Sequence, residues 1–203
     1  MRILRRRRKE SSRSLSHLLM SFLYFNAMCT ISARCSIEAQ AFGGNYAGVT
    51  KYGFFKLNGA AVWQASWQGE YHVNRGANMF TIDTAACTVL DSQRFDTHGD
   101  PAATSQLNDY LQGLSDGTVL VGISCDEANY QLSTATKSTL SGLGADVSDV
   151  GMRGAWAFVA EIGDPSKTVF DKELNESSAL ERDPVVTASF AGASCDLLLK
   201  QIS

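Results

Sequence analysis

The sequence predicts a mixed α/β domain, and three patterns point to it. Two segments, "GTVLVGIS" (residues 117–124) and "AWAFVAEI" (155–162), are continuously apolar, as strands buried on both faces are. Two others, at residues 100–114 and about 130–143, repeat apolar residues at helical spacing. Shorter apolar runs bounded by turn residues indicate hairpins. With 44% hydrophobic and 19% charged residues among 203, the chain can bury a core.

Two strand pairs come first along the chain. "GFFKLNGAAVWQASW" (53–67) predicts two strands joined at Asn58-Gly59, the dipeptide that favours a type I′ turn. "NMFTID" (78–83) and "TVLDSQRF" (88–95) predict a second pair, with the intervening four residues as the loop.

The helices and the last strand follow. Asp100 as the N-cap and Pro101 at the first helical position begin the first helix, and Gly144 caps the end of the second. Beyond residue 163 the chain is polar and is predicted as a loop, until a last strand at "PVVTASF".

Residues 1–41 are predicted to be targeting sequence. Seven basic residues within the first 14 precede the apolar stretch 15–33, which is the order of a secretory signal peptide. Ala33 and the small residues at 39–41 offer cleavage points, and 42–203 then form a single domain. The alternative is an uncleaved signal anchor, which would make a type II membrane protein of the ER or Golgi lumen. Both interpretations place the domain in an oxidising lumen or outside the cell.

Charge and motifs exclude several functions. After residue 14 the chain has 11 basic and 20 acidic residues, so a nucleic-acid partner is not expected. Asp126 and Glu127 are adjacent at a strand end and point to opposite sides, so they are not a glycosidase pair. There is no GxSxG, HExxH, phosphate loop or CxxC. We therefore expect no enzyme, no cofactor and no metal.

Four cysteines are disulfide candidates in such a compartment: Cys35, Cys87, Cys125 and Cys195. Their number is even only if cleavage precedes Cys35, since cleavage at Ala41 would leave three. Asn175, in "NES", is the only glycosylation sequon.

Three charged residues stand at the ends of apolar strands. Arg75 precedes "NMFTID", Asp126 follows "GTVLVGIS", and Arg153 precedes "AWAFVAEI". Two guanidinium forks and a carboxylate suit a polyhydroxylated or anionic ligand. The alternative for each residue is a structural ion pair or a hydrogen bond that tethers its loop.

The segments "NRGANMFTID", "VLDSQRFDT", "DGTVLVGISCDE" and "GMRGAWAFV" resemble the interleukin-like EMT inducer (ILEI/PANDER) family. Its domains occur in small secreted cytokine-like proteins, in cell-surface hyaluronan-degrading proteins, and in the stem of protein O-linked-mannose N-acetylglucosaminyltransferase. The resemblance implies a compact ββα-type globule, with a mixed, partly antiparallel sheet and flanking helices. In the stem branch, positions matching Arg75, Asp126 and Arg153 bind a sugar. Here Gly154 replaces the family's acid, and Met152 its aromatic residue.

The resemblance and the flanking positions together predict a Cys35–Cys195 disulfide, which leaves Cys87 and Cys125 for each other. The expected function is a secreted or lumenal, non-catalytic domain that recognises a glycan or glycoprotein. The alternatives are a cytokine-like ligand for a cell-surface receptor, and a membrane-tethered stem module of a glycan-processing system.

Overall fold

Two β-sheets and two helices make up the described fold. The computed structural model of the protein describes residues 34–44, 51–68, 71–72, 74–174 and 183–191, and the elements form one compact unit, Arg34–Phe190. In chain order they are β1 (Cys35–Gln40), β2 (Phe42–Gly43), β3 (Tyr52–Leu57), β4 (Ala60–Gln68), β5 (Tyr71–His72), β6 (Gly76–Asp83), β7 (Thr88–Phe95), α1 (Ala103–Gln112), β8 (Val119–Asp126), α2 (Thr134–Gly142), β9 (Ala155–Glu161), β10 (Asp164–Glu173) and β11 (Val185–Phe190).

The strands form a five-stranded and a six-stranded sheet. The five-stranded sheet has the order β11-β1-β3-β4-β5, and the six-stranded sheet has β10-β9-β8-β6-β7 with β2 beside β8. The β2–β8 pairing is parallel, and the other described pairings are antiparallel.

The predicted α/β class, a ββα-type globule whose mixed sheet is flanked by helices, is wrong. The described residues are mostly β, with 50% strand and 14% helix, and the two described helices have only 10 and 9 residues. A continuous apolar run such as β8 indicates that both faces of a strand are covered, but not whether a helix or a sheet covers them. Here helices cover one face of the six-stranded sheet, and the five-stranded sheet covers the other.

The two faces of the six-stranded sheet have separate cores. Between the sheets, β1 and β3 contribute Ile37 and Phe55, which pack with Val121 and Val159 in one cluster. On the opposite face, α1 and α2 bury Leu107 and Leu140 against Met79, Trp156 and Phe158. Strands β8 and β9 are therefore fixed from both sides, which gives their ends a rigid base.

The predicted Asn58-Gly59 turn is confirmed. The predicted start of α1 is wrong, because the helix begins at Ala103 with Ala102 as its N-cap, not at Pro101 with Asp100. Four strands were missed: the two-residue strands β2 and β5, and the longer strands β1 and β10. Asn58 and Gly59 have φ of 49° and 79°, as a type I′ turn requires. Strand β10 lies where polar composition predicted a loop, because an edge strand with many exposed positions needs few apolar residues. Strand β1 lies within the segment predicted as targeting sequence, and it pairs with both β11 and β3.

The predicted disulfide pairings are wrong. Cys35 in β1 bonds to Cys87, in the turn between β6 and β7, and Cys125 is a buried free thiol. The bond links the five-stranded sheet to the six-stranded sheet. Sequence order suggested bridging the ends of the domain, but cross-sheet proximity depends on pairings that the sequence does not display. Cys195 and the sequon residue Asn175 lie outside the described residues.

No helix within the described segments is long and apolar enough to cross a membrane.

Candidate functional site

Antiparallel pairing brings the three predicted site residues to one end of the six-stranded sheet. Strand β8 runs antiparallel to both β6 and β9, so the start of β6, the end of β8 and the start of β9 share that end. Arg75 precedes β6, Asp126 is the last residue of β8, and Arg153 lies two residues before β9. The register sets Gly76 opposite Cys125, next to Asp126.

Arg75 is held by an acid that the sequence interpretation did not assign to the site. Its Nε and Nη2 atoms donate to the two carboxylate oxygens of Asp96, at 3.0 and 2.8 Å. The Gly99 amide also donates to Asp96, at 2.9 Å. The structural ion pair considered for Arg75 is therefore present. Asp96 was within reach of sequence reasoning, because it belongs to the "VLDSQRFDT" segment.

The ion pair shifts the pKa of Arg75 and the pKa of Asp96 so that the charged form of each residue is favoured. The hydrogen bond to Asp96 is the main reason that the pKa of Arg75 is raised, and the negative charge of Asp126 adds to it. Burial would raise the pKa of Asp96, but hydrogen bonds from Arg75 and Gly99 and the guanidinium charge outweigh burial and lower it to about 2. The guanidinium of Arg75 thus lies in the field of two carboxylates.

Asp126 and Arg153 both have left-handed backbone conformations, with φ of 60° at each. Non-glycine residues seldom adopt this conformation, and such residues concentrate at functional sites. The backbones of Asp126 and Arg153 both lie against Gly43, which pairs with Asp126. A Cβ atom on Gly43 would lie 2.2 Å from the carbonyl oxygen of Arg153, so only glycine fits there.

Glu127 organises the loops around Asp126 and Arg153. Its side chain is buried, and Oε1 accepts the amides of Asn129 and Tyr130 at 2.6 and 2.9 Å. Oε2 accepts a hydrogen bond from the backbone amide of Arg153. The two adjacent acids therefore differ in role, because the Glu127 carboxylate is occupied by backbone amides and fixes the loop before β9.

Asn129 completes this network from the other side. Its side-chain Nδ2 donates to the backbone carbonyl of Gly154 at 3.0 Å, and its side-chain Oδ1 accepts from Trp156 Nε1 at 3.0 Å. A Cβ on Gly154 would lie 2.6 Å from the carbonyl oxygen of Glu173. The loop therefore packs directly on the end of β10, and this position has no room for a side chain.

Two large side chains near the site are exposed. Tyr130 is 64% exposed and Met152 is 59% exposed. The Tyr130 ring contacts the ring of His98, with centroids 5.5 Å apart. An aromatic surface thus borders the charged groups, and it was not among the predicted site residues.

The formal charge of the site is slightly negative. Arg75 and Arg153 contribute two positive charges, against three negative charges from Asp96, Asp126 and Glu127. Such a balance does not favour a polyanion. Within the part of the chain that the structure describes, no group of three His, Cys, Asp or Glu residues could hold a metal ion.

Comparison with known proteins identifies the family. The model of the family described as "Interleukin-like EMT inducer" matches residues 75–164, a segment that includes Asp126 and Arg153 and begins at Arg75. Over residues 75–164 the resemblance to this family is therefore confirmed.

Individual relatives match only in part. The chain is 29% identical over 149 residues to the mouse (Mus musculus) "Cell migration-inducing and hyaluronan-binding protein", covering 64% of this chain and 11% of that protein. It is 29% identical over 145 residues to the zebrafish (Danio rerio) "Cell surface hyaluronidase", covering 62% and 10%. It is 24% identical over 107 residues to rat (Rattus norvegicus) "Protein FAM3C", covering 52% and 46%. The chain thus spans about a tenth of the first two relatives and less than half of the third.

Proposed function

We propose that the protein is a non-catalytic carbohydrate-recognition domain that binds a neutral, hydroxyl-rich glycan unit through Arg75, Asp126 and Arg153. The observation that carries this proposal is the convergence of the three residues at one rigid sheet end. Relatives named for hyaluronan binding and for a cell-surface hyaluronidase support a glycan-related, extracellular role.

The chemistry of the site suits a sugar hydroxyl. Asp126 accepts hydrogen bonds, and Arg153 donates in a planar fork. Arg75 already engages Asp96 through Nε and Nη2, so this pair acts as a preorganised unit. Each charge-assisted hydrogen bond contributes about 1.5–3 kcal/mol. Two or three of them, less the cost of ordering the ligand, give a dissociation constant on the order of 1 mM.

The charge balance favours a neutral sugar over hyaluronan. A polyanion would approach a site with one excess negative formal charge, and the chain after residue 14 has nine more acids than bases. We therefore propose that this domain differs in its ligand from what the names of the larger relatives suggest.

The proposal includes an extracellular or lumenal location. The Cys35–Cys87 disulfide joins the two sheets, and such bonds form and persist in oxidising compartments.

The test is an NMR titration of the isotope-labelled protein with N-acetylglucosamine, mannose and a hyaluronan tetrasaccharide. The amide resonances of residues 75, 126 and 153 should shift with at least one neutral sugar, and less with hyaluronan. Arg153→Ala and Asp126→Asn should abolish the shifts. Asp109→Asn, an exposed acid on α1, should leave them unchanged.

Two results would overturn the proposal. If no neutral sugar shifts a resonance at this sheet end, the glycan function fails and the receptor-ligand alternative is favoured. If Arg153→Ala binds normally but lowers the Tm by many degrees, Arg153 is a structural tether instead.

A further inference from the structure

A groove of about 530 Å³ lies on the five-stranded sheet, whereas the strands that carry the charged residues discussed above belong to the six-stranded sheet. Tyr52, Gly53 and Phe54 of β3 line it together with Gln64, Ala65 and Ser66 of β4. Its volume is within the range usual for small-ligand sites, about 300–1,000 Å³.

Strand alternation places the groove on the solvent face of this sheet. Along β3, Gly53, Phe55 and Leu57 are buried, whereas Tyr52 and Phe54 are not. Antiparallel pairing sets Tyr52 opposite Ser66 and Phe54 opposite Gln64. The buried set, which includes the lining residues Gly53 and Ala65, faces the six-stranded sheet, and the other four lining residues alternate to the opposite face.

The groove combines aromatic rings with uncharged hydrogen-bonding groups. Tyr52 is 53% exposed. Phe54 lies between two amide side chains in the sheet, Gln64 on β4 and Gln40 on β1. The Gln40 amide is fixed, because its Nε2 donates to the carbonyl of Tyr52 at 2.9 Å. Ser66 adds a hydroxyl to the lining.

The charges beside the groove cancel. Lys56 Nζ lies 4.1 Å from the centre of the Phe54 ring, and it also pairs with Glu38 at 3.2 Å. The six lining residues within the described part of the chain carry no formal charge. This arrangement gives no electrostatic attraction for an anionic ligand.

We infer that this groove is a second carbohydrate site, which takes a neutral oligosaccharide. A pyranose ring has an apolar face of C–H groups and a rim of hydroxyls. The C–H face stacks on an aromatic ring such as Tyr52, while amides such as Gln64 both donate to and accept from the hydroxyls. A purely apolar partner would leave these amide and hydroxyl groups without hydrogen bonds. The inference uses no residue of the Arg75 site, so either proposal can be wrong while the other holds.

The experiment is an NMR titration of the full chain with triacetylchitotriose, maltotriose and a hyaluronan tetrasaccharide, in the millimolar range. At least one neutral trisaccharide should shift the amide resonances of Tyr52, Gln64 and Ser66. Tyr52→Ala and Gln64→Ala should each weaken binding at least several-fold. Tyr52→Phe should retain most of it, because the ring remains.

Controls separate this groove from the other site. Val62→Ala changes an exposed residue of β4 outside the groove and should bind normally. Arg153→Ala should leave the groove shifts intact. The inference is wrong if neither neutral trisaccharide shifts these resonances, if Tyr52→Ala binds as tightly as the unchanged protein, or if hyaluronan binds the groove as well as the neutral sugars do.

Discussion

Breaking the Cys35–Cys87 bond should destabilise the protein strongly. The bond closes a loop with a sequence separation of 52 residues. In the chain-entropy model, cross-linking a loop of that size removes enough freedom from the unfolded chain to stabilise the fold by about 4 kcal/mol. A domain of this kind has a total stability of about 5–15 kcal/mol. The bond therefore supplies a large part of the net free energy of unfolding.

The assay is thermal unfolding of the unchanged protein and of Cys87→Ser under non-reducing conditions. With about 2–4 °C per kcal/mol for a domain of this size, the Tm should fall by about 8–16 °C. Adding a reductant to the unchanged protein should lower its Tm to that of the variant, and should not affect the variant further. The matched control is Cys125→Ala, which removes a free thiol and should respond to reductant like the unchanged protein.

Two results would refute this reasoning. One is non-reducing peptide mapping that finds Cys35 bonded to any partner other than Cys87. The other is a Cys87→Ser variant whose Tm equals that of the oxidised protein, which would mean that sheet packing alone fixes the structure.

Three further predictions concern the loops, the ion pair and the first strand. Glu127→Gln should lower the stability by about 2 kcal/mol, measured by urea unfolding, because one carboxylate accepts three backbone amides. The pKa of Asp96 is lowered to about 2, so its contribution should be complete above about pH 5 and be lost as the pH falls from about 4 towards 2; Asp96→Asn should flatten that part of a stability-versus-pH curve. A chain beginning at Arg34 should fold, whereas one beginning at Phe42 should not, as judged by dispersion of its NMR spectrum, because it lacks β1.

Each of these has an outcome that contradicts it. Asp126→Asn is the control for the Glu127 change, and equal losses of stability would remove the distinction between the two acids. If Asp96→Asn loses stability at low pH as the unchanged protein does, other carboxylates are responsible for that loss. A well-dispersed spectrum from the chain that begins at Phe42 would make cleavage at Ala41 compatible with folding.

The sequence predicted the hairpin turn well and the long-range pairings poorly. The Asn58-Gly59 turn depends on the backbone preferences of two residues, so it was visible locally. The pairing of β1 with β11 and the bond between Cys35 and Cys87 join distant segments, and no local pattern marks them. The fold class was wrong for the same reason, because an apolar strand does not reveal which layer covers it.

The candidate site was predicted in part. Arg75, Asp126 and Arg153 were chosen from strand ends and from the resemblance, and antiparallel register brings them to one end of the sheet. Whether they bind a glycan stays a prediction. The partners that fix them were not foreseen: Asp96 is separated from Arg75 by 21 residues, and the amides that Glu127 accepts become neighbours only through the loop geometry.

The position of β1 between β11 and β3 in the five-stranded sheet has a consequence for how the chain folds. Its partner β11 is roughly 150 residues away in sequence, so the first of the described strands to be synthesised pairs with the last. During synthesis, at about 5–20 residues per second, one edge of β1 stays unpaired for many seconds, until β11 has been made, and its apolar face is only partly covered. Non-local pairing of this kind slows folding and exposes strand edges to other chains. The domain should therefore depend on chaperones during biogenesis more than a helical domain of equal size would, and its yield in a cell should fall most steeply with variants that weaken the β1–β11 ladder.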